Sequence, residues 1–227
     1  MSLKPNHIEF QKEIEQREIE CLIHFTTTIN LFSVLENNEL MSRTKLENLD
    51  IKQFDILDYV QFIDDVRFDD KNYINLSLSG PNTFLFSKFR QKTKDEFTIN
   101  WCVIKLDPKH IYDTETLFLI TNAALNVAKR QYGISGDLDK FKMLFIEQLN
   151  INTYNGVRTI SRNSVHLKYL TDVQAEILVK DEISSDSILA VCFESEEKMA
   201  EAKVAMSCFD TSKFVVDKEI FSPNRSI

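Results

Sequence analysis

The sequence predicts a single α+β domain, because short segments that favour strands are interspersed irregularly with segments that favour helices. A chain of 227 residues with 43% hydrophobic and 27% charged residues has the balance of a folded globular protein. Its 17 Phe residues supply large apolar side chains for a core, and only 4 Gly and 4 Pro interrupt it. Because a regular βαβ alternation is missing, the α+β class is favoured over a doubly wound sheet.

The first elements follow from local patterns. The charged segment 7–19 predicts a helix at the periphery, and the apolar segment 21–25 predicts a strand. Apolar residues recur at helical spacing after Asn30, which we predict as the N-cap of a second helix. The polar, acidic stretch 43–72 predicts a long loop with one helical turn, and loops of that length often carry function.

The middle of the chain alternates between the two patterns. Residues 73–79 have apolar side chains at every second position, which predicts a half-buried strand. A helix over 83–92 and a strand over 101–106 follow. Segments 115–132 and 137–150 are predicted to be helical, the second with an apolar face.

The C-terminal part combines a polar region with strands. The region 152–170 is polar and basic, and the apolar runs 175–180, 188–193 and 213–217 predict strands, with a helix over 196–206. We therefore expect an N-terminal helical extension over residues 1–20 and one domain over residues 21–227.

The net charge of −8 argues against a protein that coats nucleic acid nonspecifically through a global positive field. Contacts to DNA would need local basic clusters. No segment has the length of a membrane span and the N-terminus lacks the apolar core of a signal peptide, so no membrane contact is expected.

The four cysteines, Cys21, Cys102, Cys192 and Cys208, are scattered among apolar neighbours without a metal-binding spacing. They predict buried, reduced thiols, a cytoplasmic location and no bound metal.

The first candidate for chemistry is Gln174-Ala175-Glu176 at the start of a predicted strand. Residues i and i+2 share a strand face, so the amide of Gln174 and the carboxylate of Glu176 could meet one ligand. A carboxylate beside apolar residues can stabilise a developing cation or accept a proton. The triplet alone favours the plainer interpretation, a strand-end glutamate that faces water.

Two further candidates precede it. His24 and Thr26 share a face at the end of the first strand and could bind a ribose or a carboxamide, although a packed, satisfied histidine has the same pattern. Arg67 lies among four aspartates; its planar guanidinium could bind a diphosphate or form a surface ion pair.

Basic residues cluster in two places, 88–94 and 158–168, the second with Arg158, Arg162 and Lys168. Such clusters are candidate contacts for DNA phosphates, and ordinary solvated surfaces have the same composition. Glycine-rich phosphate loops are missing from the sequence, so a dinucleotide would have to bind in a fold other than the Rossmann fold.

Taken together and in order, the segments resemble the DarT family of bacterial DNA ADP-ribosyltransferase toxins. The resemblance covers roughly residues 21–193 and rests on five blocks: "IHFTTTINLFSVLENNELMSR", "VRFDD", "NYINLSLSGPNTFLFSKFR", "WCVIKLDPKHIY" with "TNAA", and "DVQAEILVKDEISSDSILAVCF".

This resemblance implies an ADP-ribosyltransferase fold, with a split, mostly antiparallel sheet and NAD+ as co-substrate in its cleft. It implies that Glu176 is the catalytic carboxylate and that Arg67 contacts NAD+ and helps to deprotonate the base. The residues implied to line the nicotinamide and ribose pocket are Ile23, His24, Phe25 and Leu40, beside Thr26. The loop between Ser42 and Asn72 would close over NAD+.

The resemblance also implies a partner. Residues 150–175 would face the substrate, which places Arg158, Arg162, Lys168 and Gln174 along single-stranded DNA. Ser77 and Ser79 stand where thymine-modifying members carry aromatic residues, and "SLSGPN" with "TNAA" is similar to the branch that modifies guanine. The expected function is thus NAD-dependent mono-ADP-ribosylation of guanine or thymine, as the toxin of a pair with an ADP-ribose-removing antitoxin. The alternatives are transfer to RNA or protein, or a binding module without catalysis.

Overall fold

The structure, a computed structural model, describes residues 2–52, 54, 70–122, 126–153 and 156–223. Its strands, in chain order, are β1 (Leu22–Thr27), β2 (Glu39–Met41), β3 (Tyr73–Leu78), β4 (Trp101–Leu106), β5 (Leu117–Leu119), β6 (Gln148–Thr153), β7 (Gly156–Ser161), β8 (Glu176–Lys180), β9 (Glu182–Ser184), β10 (Ile188–Phe193) and β11 (Phe214–Val216). Seven of them form one sheet in the order β11-β10-β4-β1-β3-β8-β5, and only the β10–β11 pair is parallel. The α+β class and the mostly antiparallel sheet are confirmed.

The helices flank this sheet. They are α1 (His7–Gln16), α2 (Thr28–Asn37), α3 (Arg43–Asn48), α4 (Thr83–Lys92), α5 (Asn126–Tyr132), α6 (Leu138–Met143) and α7 (Glu196–Ala205). The predicted N-cap of α2 is wrong by three residues: the Thr27 hydroxyl accepts the hydrogen bond from the Asn30 amide, so Thr27 is the cap. This releases the side chain of Asn30 for other contacts.

Two predicted helices are wrong in part. Within 115–132, the residues Leu117–Leu119 form β5, which pairs with β8. Within 137–150, the helix ends at Met143 and β6 begins at Gln148, where burial alternates with a period of two residues. The polar, basic region 152–170, for which no element was predicted, contains β7, which forms a hairpin with β6. In both segments predicted as helices the apolar residues keep a helical spacing across the boundary between helix and strand. The sequence therefore does not show where the helical period changes to the two-residue period of a strand.

The sheet splits between β1 and β3. These strands pair only through Leu22 with Leu78 and Ile23 with Ser77, whereas β1 continues along β4 up to Thr27. Toward its other end, β3 pairs with β8 instead, from Tyr73 to Leu76. The two halves of the sheet therefore separate beyond Ile23, and a cleft opens there.

The largest core cluster fills one side of the sheet, and α1 is part of it. Phe10 is fully buried, and its ring contacts the rings of Phe118 and Phe141 at centroid distances of 5.9 and 5.6 Å. The expected peripheral position of this helix is wrong, because its apolar side chains Phe10 and Ile14 cover the sheet. Burial of such aromatic side chains is a major source of stability.

Three of the four cysteines, Cys21, Cys102 and Cys192, are buried, and burial raises the pKa of the Cys21 thiol to about 11. Cys208 is exposed, which corrects the prediction for that residue. Among the described helices, none has the length and apolar character needed to cross a bilayer.

Candidate active site

The cleft at the split of the sheet contains an open cavity of about 250 Å³. Its walls come from β1, β3, α2, α4 and the segment from β2 to α3. The predicted pocket residues Ile23, His24, Phe25, Thr26 and Leu40 all line it, and so does Glu176. Side chains that lie up to about 150 positions apart in sequence thus border one cavity.

His24 sits where β1 leaves β3. Its Nδ1 lies 3.4 Å from the carbonyl oxygen of Asn75, and since a carbonyl only accepts, Nδ1 carries the proton. Burial lowers the pKa of His24 to about 4, so the ring is neutral at pH 7 and Nε2 is a hydrogen-bond acceptor. A neutral imidazole of this tautomer can accept a hydrogen bond from a hydroxyl or an amide N–H group.

Glu176 is the first residue of β8, and its side chain is held from two directions. Asn75 Nδ2 on the neighbouring strand donates to Glu176 Oε2 at 3.3 Å. Lys129 of α5 lies close enough for the charge of Glu176 to raise its pKa, although burial has the larger effect and lowers it. The carboxylate is therefore oriented by an amide and faces a nearby cation at the edge of the cavity.

Gln174 lies in the turn before β8, because the strand begins at Glu176. Gln174 and Glu176 therefore do not share a strand face, which corrects the prediction. Gln174 is buried; its Oε1 accepts from Nδ2 of Asn122 at 3.4 Å, and Asn122 lines the cavity. Asp172 shapes this turn by accepting from the Gln174 amide at 2.9 Å and from the Thr121 hydroxyl at 2.5 Å.

The loop predicted to close over NAD+ begins beside the cavity. Arg67 itself lies outside the described residues. Phe54 is described, and its backbone binds Asn30 twice: its amide donates to Asn30 Oδ1 at 2.8 Å and its carbonyl accepts from Nδ2 at 3.0 Å. Asn30 Nδ2 also lies 3.2 Å from the Thr26 hydroxyl, so one side chain connects β1, α2 and this loop.

Cationic side chains reach the cavity from the same region. Of the described residues in its wall, Arg43 and Lys71 carry positive charge, and Lys71 also binds Glu47 at 2.8 Å. Lys45, on the same short helix as Arg43, pairs with Glu39 at 2.6 Å and with Glu182, which joins α3 to the β2–β9 pair. These pairs fix the position of α3 beside the cavity.

The predicted DNA-facing cations differ in environment. Arg158 is exposed on β7, and Lys168 is half-buried. Arg162 is only 5% exposed, and its guanidinium donates to the carbonyls of Tyr169 (2.8 Å), His166 (3.0 Å) and Val165 (3.3 Å). These contacts hold the loop before Glu176 in shape and leave Arg162 poorly placed to reach a phosphate directly.

Sequence reasoning missed four residues around the catalytic candidate: Asn30, Asn75, Asn122 and Lys129. In the alternating segment 73–79, Asn75 occupies one of the polar positions between the apolar residues, so the sequence predicts that it lies on the opposite face of the strand from them. Its partner on β8 depends on strand pairing across about 100 residues, which no local pattern encodes.

The split, mostly antiparallel sheet, with a glutamate at a strand start beside its cleft, is the arrangement that the resemblance to ADP-ribosyltransferases implies. The profile model described as "DarT: ssDNA thymidine ADP-ribosyltransferase, DarT" matches residues 23–222. The chain belongs to this family, and membership makes it an NAD-dependent ADP-ribosyltransferase of single-stranded DNA.

Solved structures have the same fold at low sequence identity. Thermus sp. 2.9 DarT in complex with carba-NAD+ is similar with a TM-score of 0.60 and 13% identity, over 90% of this chain and 99% of that chain. The same Thermus protein in complex with ADP-ribosylated ssDNA gives a TM-score of 0.56 and 11% identity, over 90% and 97%. Thermosipho africanus DarTG in complex with ADP-ribose gives 0.56 and 17%, over 89% of this chain and 51% of that chain. Comparison with the curated proteins finds no match.

Proposed function

We propose that this chain transfers one ADP-ribose group from NAD+ to a nucleobase in single-stranded DNA, with Glu176 as the catalytic carboxylate. The observation that carries the proposal is the convergence of Glu176, Asn75 and His24 on one cavity at the split of the sheet. Family membership supports the reaction class, and the geometry supports the roles of the residues.

NAD+ supplies an activated glycosidic bond: the bond from the ribose anomeric carbon to the nicotinamide nitrogen breaks, and its electron pair leaves with nicotinamide. A nitrogen of the base supplies the pair for the new bond and then loses a proton. Glu176 stabilises the positive charge that develops at the anomeric carbon, and Asn75 holds the carboxylate in the required orientation.

The other wall residues bind the dinucleotide. The neutral ring of His24 accepts a hydrogen bond from a ribose hydroxyl or from the carboxamide, and Ile23, Phe25, Thr26 and Leu40 shape the nicotinamide side of the pocket. Arg43 joins the predicted Arg67 in neutralising the diphosphate. The reaction as proposed uses no metal.

On the DNA side, we propose that Arg158 and Lys168 contact phosphates while Arg162 and Gln174 hold the loop that presents the strand. The hydroxyl of Ser77 accepts from the Asn82 amide at 3.1 Å, so this wall position is small and polar. Because the small side chain of Ser77 leaves room for a purine, guanine and thymine are both candidate target bases.

Biologically, we propose the toxin of a toxin–antitoxin pair in the cytoplasm. The expected antitoxin is a protein that removes ADP-ribose from DNA, in keeping with the similarity to Thermosipho africanus DarTG. Residues 21–227, together with α1, would act as one domain.

The direct experiment incubates the protein with labelled NAD+ and four acceptors: single-stranded DNA, duplex DNA, RNA and lysate protein. We expect label on single-stranded DNA together with release of nicotinamide. Oligonucleotides that lack either guanine or thymine identify the base. Label on RNA or protein alone would replace the proposed acceptor, and no nicotinamide release with any acceptor would favour a binding module without catalysis.

A further inference from the structure

A second cavity, of about 220 Å³, adjoins the cleft and is not used by the proposed chemistry. The turn between β3 and α4 borders both cavities: Ser77 and Asn82 line the first, whereas Ser79 and Thr83 line the second. The loop that leads into Glu176 forms another part of the wall, through Lys168, Tyr169, Leu170 and Val173. Both segments that flank the catalytic carboxylate thus also shape this second cavity.

We propose that the second cavity binds one nucleobase of the DNA strand, from a nucleotide that flanks the modified base. This inference rests on the proposed function, because it assumes a single-stranded DNA substrate. It adds a base-binding site outside the catalytic cleft, which would give the enzyme a preference for the sequence around its target.

A hydrogen-bonding group in the cavity wall supports a ligand there. The hydroxyl oxygen of Ser79 is buried and has no hydrogen-bond partner among the described residues. Ser79 also has a φ of 58°, in the left-handed region that residues other than glycine rarely adopt. Because buried polar groups are normally paired, the Ser79 hydroxyl indicates a missing partner, and strained backbone of this kind tends to occur at binding sites.

The charges of the wall favour a neutral base over a phosphate. Three carboxylates, Glu20, Asp217 and Glu219, border the cavity together with two cations, Lys105 and Lys168. Lys105 already pairs with Asp217 at 2.8 Å. Because carboxylates outnumber lysines, a phosphate inside the cavity would meet net repulsion, whereas the N–H groups on the edge of a base can donate to carboxylate oxygens. In this arrangement Lys168 contacts the phosphate of the bound nucleotide outside the cavity.

The aromatic part of the wall fits a planar ring system. Tyr169 lines the cavity and packs against Gly80, where an added methyl group would lie 3.3 Å from Tyr169 Cε1. Lys168 Nζ lies 5.7 Å from the centroid of the same ring. Tyr169 thus brings an aromatic ring with a neighbouring cation to the wall, and such a pair can stack with a base.

The distance to the catalytic site is short. Val173 lies three residues before Glu176, a span of at most ~11 Å for an extended chain, and Ser79 lies two residues after Ser77. Consecutive nucleotides are ~3.4 Å apart along a stacked strand and farther apart when unstacked. A nucleotide within a few positions of the modified base can therefore reach the second cavity.

The test combines substrate and protein changes. Oligonucleotides with one target base carry an abasic site at each of the three positions on either side, and kcat/KM for ADP-ribose transfer is measured. With the native protein, we expect the abasic site at one position to lower kcat/KM about tenfold, the typical effect of losing one stacked base. The variant Thr83→Phe, which fills the cavity from α4, should lower kcat/KM on the intact oligonucleotide by a similar factor and be insensitive to the abasic site at that position.

The matched control is Ser87→Phe, the same kind of change one turn along α4 at an exposed position that does not line either cavity. It should keep the native pattern of abasic effects. If Thr83→Phe does not fold, as judged by circular dichroism, Ile220→Trp fills the same cavity from the C-terminal segment.

Native protein that tolerates abasic sites at all six positions would overturn the inference, and so would a cavity-filled variant with undiminished sensitivity at the critical position. Both results leave the proposed function intact, since the intact oligonucleotide is still modified. If the native protein modifies no intact oligonucleotide, the proposed function itself fails and this inference fails with it.

Discussion

Asn75 Nδ2 on β3 donates to Glu176 Oε2 on β8 across 3.3 Å. The two residues belong to adjacent strands of the half-sheet that diverges from β1, so the pairing of β3 with β8 sets the position of the carboxylate. The divergence of β3 from β1 therefore both opens the cleft and places the Glu176 carboxylate beside it.

Asn75→Ala should lower kcat on the order of tenfold and change KM for NAD+ little, because a hydrogen bond to a charged group contributes roughly 1.5–3 kcal/mol. Steady-state kinetics of nicotinamide release with single-stranded DNA measures this. Asn100→Ala is the matched control, since Asn100 also donates to a glutamate, Glu201, at 2.7 Å, but does not line the cavity. Equal losses for both variants would contradict an orienting role for Asn75.

The pKa of His24 predicts a loss of stability in acid. Burial lowers it from 6.5 to about 4, so the unfolded chain binds a proton more readily than the folded one. The stabilising contribution is complete above pH 6.5 and falls as the pH drops from 6.5 to about 4. After a discount for partial exposure of the ring, we expect a difference of about 1–2 kcal/mol.

Urea unfolding at pH 7 and pH 4.5 checks this expectation when the native protein is compared with His24→Asn. The variant lacks the histidine titration, so its stability should decrease less over this interval. An identical pH dependence in both proteins would show that other groups are responsible.

Asn30→Ala should raise KM for NAD+ about tenfold with a smaller effect on kcat, because Asn30 fixes the backbone of Phe54 within the loop predicted to cover NAD+. Isothermal titration with NAD+ in the absence of DNA measures the affinity directly. Glu36→Ala, an exposed change on the same helix, serves as control. Unchanged NAD+ affinity in Asn30→Ala would show that the contact between Asn30 and Phe54 does not contribute to NAD+ binding.

Arg162 and Arg158 should differ in the property that their loss affects. Arg162→Ala leaves three partly buried carbonyls without their guanidinium donor, so we expect a lower Tm, with a cost of about 2–4 kcal/mol, and lower activity. Arg158→Ala should keep the Tm and weaken DNA binding, with the slope of log K against log salt reduced by about 1. If the slope of log K against log salt changed in Arg162→Ala and not in Arg158→Ala, Arg162 and not Arg158 would be the residue that contacts a phosphate.

Much of the fold was predictable because burial patterns are local. The strands 73–78 and 101–106 and the helix 83–92 follow from period-two or helical spacing within each segment. The three-residue strand β5 was missed, because Leu117 and Leu119 acquire their partners only when β8 arrives beside them. Short strands of this kind depend on the tertiary context more than on propensity.

The candidate site was predictable in its parts and not in its assembly. The sequence pattern indicates His24, Thr26 and Glu176, and the resemblance adds Ile23, Phe25 and Leu40; all of them border one cavity. Asn30 was interpreted as a helix cap, since asparagine is common at that position; its side chain instead binds Phe54. Arg162 was grouped with surface cations, since its burial depends on the fold of the 162–169 loop.

The central claim is that the carboxylate of Glu176 drives transfer of ADP-ribose to single-stranded DNA. The most direct measurement compares the native protein, Glu176→Gln and the exposed control Glu197→Gln for label transferred from NAD+ to a single-stranded oligonucleotide, with the Tm of each recorded. We predict that Glu176→Gln keeps its Tm and loses transfer by ~10²–10³, while Glu197→Gln equals the native protein. Transfer by a folded Glu176→Gln variant at near the native rate would contradict the account.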